Sequence, residues 1–106
     1  MESNVLNIAI ECETKDGWKT GIWEQMETIK DFFDKEEIIN IVNQAMIEAE
    51  EECAYDIDET KANRCTIKTN IVKKESNVIF GACFLYGYYN KHTGFVENDC
   101  YISMNT

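Results

Sequence analysis

Residues 48–60 read EAEEECAYDIDET, and seven of these thirteen residues are carboxylates, with no base among them. They are Glu48, Glu50, Glu51, Glu52, Asp56, Asp58 and Glu59. Oxygen-rich clusters of this kind hold a hard cation, imitate phosphates, or simply face water. The calcium-loop reading starts well at Asp56 and then fails. Lys61 stands where the loop needs glycine, and Ile67 where it needs a bidentate glutamate. A looser divalent set of Glu52, Asp56 and Asp58 remains, against the plain alternative of a solvated turn.

The carboxylates also sit where a helix least tolerates them. Asp34 and Glu37 fit the N-cap and N3 positions of a capping box. After them Ile38, Ile41, Val42, Ala45, Ala49 and Cys53 recur at helical spacing. The pattern predicts an amphipathic helix of about 18–20 residues. Its last turns carry Glu48, Glu50, Glu51 and Glu52, where the macrodipole is already negative, and Glu48 and Glu52 are like charges one turn apart. Together these faults cost on the order of 1–2 kcal/mol. Either Arg64, Lys68, Lys73 and Lys74 from the following strand neutralise the cluster, or it faces outward. In the second case its spacing of roughly 5–6 Å per turn is comparable to that of backbone phosphates, and it fits a Lys/Arg groove built for nucleic acid.

Other reactive side chains offer less. Cys12, Cys53, Cys65, Cys83 and Cys100 have no tight spacing, so zinc is not expected. Their odd number and the lack of a secretory h-region point to a reduced, cytoplasmic setting. A Cys83 or Cys100 nucleophile would need His92 close in space. No glycine-rich phosphate loop is present, since Gly81 and Gly87 fall inside a strand pattern, where packing is their expected role. The reading is therefore a protein without catalytic residues, metal or cofactor.

Charge narrows the partners. Of a net −10, residues 1–60 contribute −13 and residues 61–106 contribute +3. Direct nucleic-acid binding is disfavoured, although FLYGYY beside Lys68, Lys73, Lys74 and Lys91 suggests base stacking. A basic protein is favoured. No apolar run approaches the eighteen or so residues that cross a membrane. Thirteen Ile, ten Asn and nine Lys against one Arg reflect A/T-rich codons, as in low-GC bacteria and their phages.

The elements that must position these groups form one domain, 1–106, with no repeat or linker. Residues 4–14 alternate, with Leu6, Ile8, Ile10 and Cys12 on one face. Asp16-Gly17 signals a hairpin. Residues 18–33 are ambiguous: Ile22, Met26, Ile29 and Phe33 fit a helical stripe, while Trp18, Thr20 and Ile22 fit a returning strand, and the expectation is a short strand at about 18–24, then an irregular or helical passage. After the helix come three strand patterns, at 66–73, 78–89 and 95–104, separated by turns. The expected fold is α+β, one long amphipathic helix packed on an antiparallel sheet of four to five strands, in the order β(β)αβββ.

The run VIFGACFLYGYY is apolar on both faces. Val78, Phe80, Phe84, Tyr86 and Tyr88 point one way, and Ile79, Cys83, Leu85 and Tyr89 the other. One helix covers one face only. The second face is covered either by residues 18–33, with Trp18, Trp23, Phe32 and Phe33, or by another molecule. Phe80, Phe84, Tyr86 and Tyr88 are the candidates for self-association, and the same face is the candidate pocket if the chain binds a small ligand or is an enzyme.

Small size, the Glu48–Glu59 cluster, the missing active site and the A/T-rich composition together resemble, in kind, the small acidic inhibitors that phages use against host defences, anti-CRISPR proteins among them. The resemblance implies a protein that binds and blocks a host nuclease or its complex in the host cytoplasm. Three readings from the residues alone remain: a basic-groove binder, a homodimeric module, and a small-ligand binder or enzyme using the second sheet face as a pocket.

Overall fold

Apolar alternation at period two builds most of this molecule. A computed structural model of the protein describes residues 4–52 and 56–104. The elements are β1 (Asn4–Thr14), β2 (Gly17–Thr28), α1 (Lys35–Glu51), β3 (Asn63–Lys73), β4 (Val78–Asn90) and β5 (Gly94–Met104). The strands form one antiparallel sheet in the order β2-β1-β3-β4-β5. β2 and β3 both pair antiparallel with β1, so they run parallel to each other, and α1 is the crossover between them.

The helix lies on one face of this sheet. Asp34 caps it, its carboxylate accepting the Glu37 amide at 3.2 Å. The other half of the capping box is diverted, because the Glu37 carboxylate takes the Lys30 ammonium instead. Ile38, Val42, Ala45, Met46 and Ala49 are buried against Ile8 and Ile10 of β1, Ile67 and Ile71 of β3, and Leu85 of β4. The helix has 17 residues and ends at Glu51, with Glu52 as its C-cap. Cys53, expected on the inner stripe, lies outside the described residues.

Two expectations are corrected. The strand expected at about 18–24 is longer, β2 running for 12 residues to Thr28, and the passage after it is irregular, not helical. Ile22 and Met26 reach the core by strand alternation, four residues apart. The alternation is hidden in the sequence because Gly21 is an extra residue in the ladder, with Ile10 opposite Ile22 but Glu11 opposite Thr20. In β4, Phe80 is likewise an extra residue between the Ile71–Gly81 and Val72–Ile79 pairs. The bulge turns Phe80 towards the helix side, where it packs on the core edge beneath the Lys73 ammonium, 4.2 Å from its ring centre. Ile79 is moved to the opposite face, beside Val72.

Asn43 ties the β4–β5 hairpin to the helix. The Phe95 amide donates to Asn43 Oδ1 at 2.8 Å. Gly94, with φ +74°, leads into that contact, and a Cβ there would meet the same oxygen at 2.9 Å. At Gly87 a Cβ would run into the Val96 carbonyl, so this glycine serves packing. Asn63 is fully buried and donates to the carbonyls of Asp58 at 2.9 Å and Lys61 at 3.2 Å, fixing the segment that follows the helix. Gly94→Ala combines left-handed strain with that close approach and is expected to lower unfolding free energy by about 1–3 kcal/mol. Asn43→Ala, which removes only the acceptor, is expected to cost about 1 kcal/mol. Urea titration of both variants measures the difference.

Candidate functional site

The carboxylate end of α1 is assembled by four neighbouring pieces: the helix C-terminus, the segment 56–61, and the β1–β2 and β4–β5 hairpins. The Lys15 amide donates to the Asp56 carbonyl at 3.0 Å, which pins the first hairpin to that segment.

The four bases expected to neutralise the cluster do not reach it. Arg64 lies beside β1 and holds Glu13 at 2.6 Å, with Lys61 at 3.2 Å from the same carboxylate. Those two cations, Arg64 first, keep the Glu13 carboxyl below the usual range. Lys73 pairs with Asp31 at 2.9 Å, and Lys74 with Glu27. Lys68 has no ion pair among the described residues. Two other lysines do part of the work. Lys91 pairs with Glu59 at 2.8 Å and lowers its carboxyl pKa, and Lys15 approaches Asp56 at 3.5 Å.

The cluster therefore divides. Asp56 and Glu59 are paired. Asp58 accepts the Thr60 hydroxyl at 2.6 Å and the Thr60 amide at 3.0 Å, which hold its pKa down. Glu50 is half-buried and accepts the Tyr89 hydroxyl at 3.3 Å. Glu48, Glu51 and Glu52 are exposed and have no ion pair among the described residues, and the last turn of the helix holds no base. Ile47, Glu50, Glu51, Tyr89 and Lys91 line an open depression of about 400 Å³ beside them.

The looser divalent set does not form. Asp56 is engaged by Lys15 and Asp58 by Thr60, and no three Asp, Glu, His or Cys side chains converge for a metal among the described residues. Cys83 and Cys100 line the helix side of β4 and β5, while His92 is exposed in the turn beyond. Burial first, then Cys100, pushes the Cys83 thiol up to about 12, the reverse of an activated nucleophile. The cysteines lack close spacing in sequence, yet the fold sets Cys12 directly opposite Cys65, with sulfurs 2.6 Å apart and both buried. The Cys65 thiol is pushed upward by Cys12 first and then by burial.

The opposite face of the sheet is a second candidate surface. Residues 18–33 do not cover it. Instead Trp18 and Trp23 of β2 join it, because the Gly21 bulge keeps both on that side. Phe84, Tyr86 and Tyr88 of β4 lie there as expected, with Tyr101 of β5 added. Phe80 does not. Trp23, Ala9, Lys68, Phe84 and Tyr101 form one row straight across the five strands. Trp23 and Tyr101, at its two ends, are each 62% exposed. Small Ala9 leaves a depression of about 120 Å³ between Trp23 and Lys68. A second, of about 230 Å³, lies among Trp18, Arg64, Tyr86, Tyr88 and Asn98. Both are shallow beside the roughly 300–1,000 Å³ typical of small-molecule pockets. No helix among the described residues is long and apolar enough to cross a membrane.

Tyr89 reports on the acidic end. Its burial first, and then the Glu50 carboxylate, push its pKa up from 10.0 to about 12. The folded state thus favours the neutral phenol, and its contribution to stability is present below pH 10 and lost as pH rises towards 12. The difference between the ultraviolet titrations of the wild type and Tyr89→Phe is expected to show one phenol with a midpoint near 12, and Glu50→Gln is expected to move it down. Comparison with family models, curated proteins and solved structures finds no match to this chain.

Proposed function

We propose that this chain is a small acidic binding protein of the cytoplasm. It inhibits a nucleic-acid-binding protein or nuclease complex, of the kind phage anti-defence proteins target, by occupying its basic groove. One observation carries the reading: Glu48, Glu51 and Glu52 stand exposed and without ion pairs at a helix end that has no base. Of the eight bases held in ion pairs, six pair away from this end, and the other two, Lys15 and Lys91, take Asp56 and Glu59, not these three glutamates.

The physical effect is counterion release. A groove built for a phosphate backbone gains the same entropy from a row of carboxylates, and it loses affinity with added salt in the same way. Glu50, shared with Tyr89, sets the orientation of the last turn, and the depression between Glu51 and Lys91 admits an arginine or lysine side chain from the partner.

The test is displacement of fluorescent duplex DNA from a panel of purified CRISPR-associated nucleases. At least one is expected to lose DNA to this protein, with an apparent affinity at least tenfold weaker at 200 mM than at 50 mM salt. The combined substitutions Glu48→Lys, Glu51→Lys and Glu52→Lys are expected to abolish displacement while the far-ultraviolet spectrum stays unchanged. Full inhibition by the folded triple variant would end the proposal.

A further inference from the structure

We propose that the open face of the sheet is the interface of a homodimer, a second copy packing sheet against sheet with the two helices outermost. This stands apart from the inhibitor reading and on different residues.

The chain leaves this face uncovered. Trp18, Trp23, Tyr86, Tyr88, Val96 and Tyr101 are all between 43% and 62% exposed on it. Single exposed hydrophobic residues are ordinary, but a contiguous set rimmed by polar residues marks an interaction surface. Here the largely polar row Gln25, Asn7, Asn70, Ala82 and Ser103 borders the rings on one side, with Val5, Val72 and Ile79 continuing the same face beyond it.

Size favours a second copy. Five strands spaced about 4.8 Å and eleven residues long at about 3.3 Å each span roughly 850 Å². A stable protein interface takes about 800 Å² from each partner.

Charge favours it as well. Two bodies of −10 repel, and this is the strongest objection to self-association. On this face, however, Glu11, Glu13 and Asp99 stand against Arg64 and Lys68, and the Glu27–Lys74 pair cancels at its end, leaving −1. The remaining net charge of −9 lies at the edges, in the loops and on the helix side. Sheet-to-sheet packing puts the α1 carboxylates on opposite outer surfaces, several Debye lengths of about 8 Å apart. Each dimer then carries two acidic helix ends facing away from each other.

The chain has only two tryptophans, and both are on this face, so the native protein carries its own probe. Sedimentation velocity between 1 and 100 μM is expected to show twice the chain mass of 12.3 kDa at the upper end. Dilution is expected to red-shift the tryptophan emission in step with the fall in mass. Raising salt from 50 to 500 mM is expected to leave the dimer unchanged or strengthen it. Tyr86→Lys and Tyr101→Lys are each expected to weaken it at least 100-fold, and Glu51→Lys to leave it intact. The proposal is overturned by a monomer at 100 μM. A dimer that dissociates without change in tryptophan emission also overturns it, because its contact then lies at a strand edge or the acidic end. Should the lysine variants not fold, the emission measurement on the unaltered chain still decides.

Discussion

One helix of 17 residues cannot shield both faces of a five-stranded sheet. At about 1.5 Å per residue it is some 26 Å long and about 10 Å across, enough for a single apolar layer. Everything distinctive here follows from that limit. The buried layer forms where α1 lies, over Ile8, Ile10, Ile67 and Leu85. The aromatic residues on the other side of the same strands are left to water or to another molecule. A chain of this size would ordinarily spend a second helix there, or make that face polar. This one instead puts two tryptophans and three tyrosines on it.

The strand order also decides the electrostatics. Because β3 lies between β1 and β4, Arg64 meets Glu13 across the ladder, and Lys73 meets Asp31 at the far end of the sheet. Neither can turn back to the helix end. The bases near that end come from hairpins, Lys15 from one and Lys91 from the other, and they take Asp56 and Glu59. Such exposed pairs contribute at most about 1 kcal/mol each, so they orient the segment more than they stabilise it. What remains unpaired, Glu48, Glu51 and Glu52, is the part of the cluster that belongs to the helix itself.

Much of this was legible in the residues. β1 and β3 could be read because they are central strands with one clear face each, Leu6-Ile8-Ile10-Cys12 and Ile67-Thr69-Ile71. The helix could be read from its Asp34 cap and its stripe, although Met46, fully buried, was not among the residues picked out. β2 could be read only in part, as a short strand at about 18–24 after the Asp16-Gly17 hairpin and not over its full range, because one extra residue at Gly21 breaks the alternation and sets Trp18 and Trp23, which share a face, five apart. The same device at Phe80 moved one of four expected self-association residues to the other side of the sheet. Bulges are set by tertiary pairing, and period counting has no term for them. Nor do ion-pair partners follow from sequence distance. Arg64 is twelve positions from Glu52 but 51 from the carboxylate it holds.

The two candidate surfaces are therefore consequences of one arrangement and do not compete. The helix that covers one face also carries the surplus negative charge away from the other, leaving the aromatic face nearly neutral while the molecule as a whole is strongly acidic. That separation resolves an apparent contradiction in the composition, a chain strongly acidic overall yet rich in exposed rings. Like charges oppose association only when they are brought within a few Debye lengths, and packing through the open sheet keeps them further apart than that. The acidic end can then remain available to a basic groove whether the protein acts as one copy or two, which makes the uncovered sheet face compatible with the acidic helix end and independent of it.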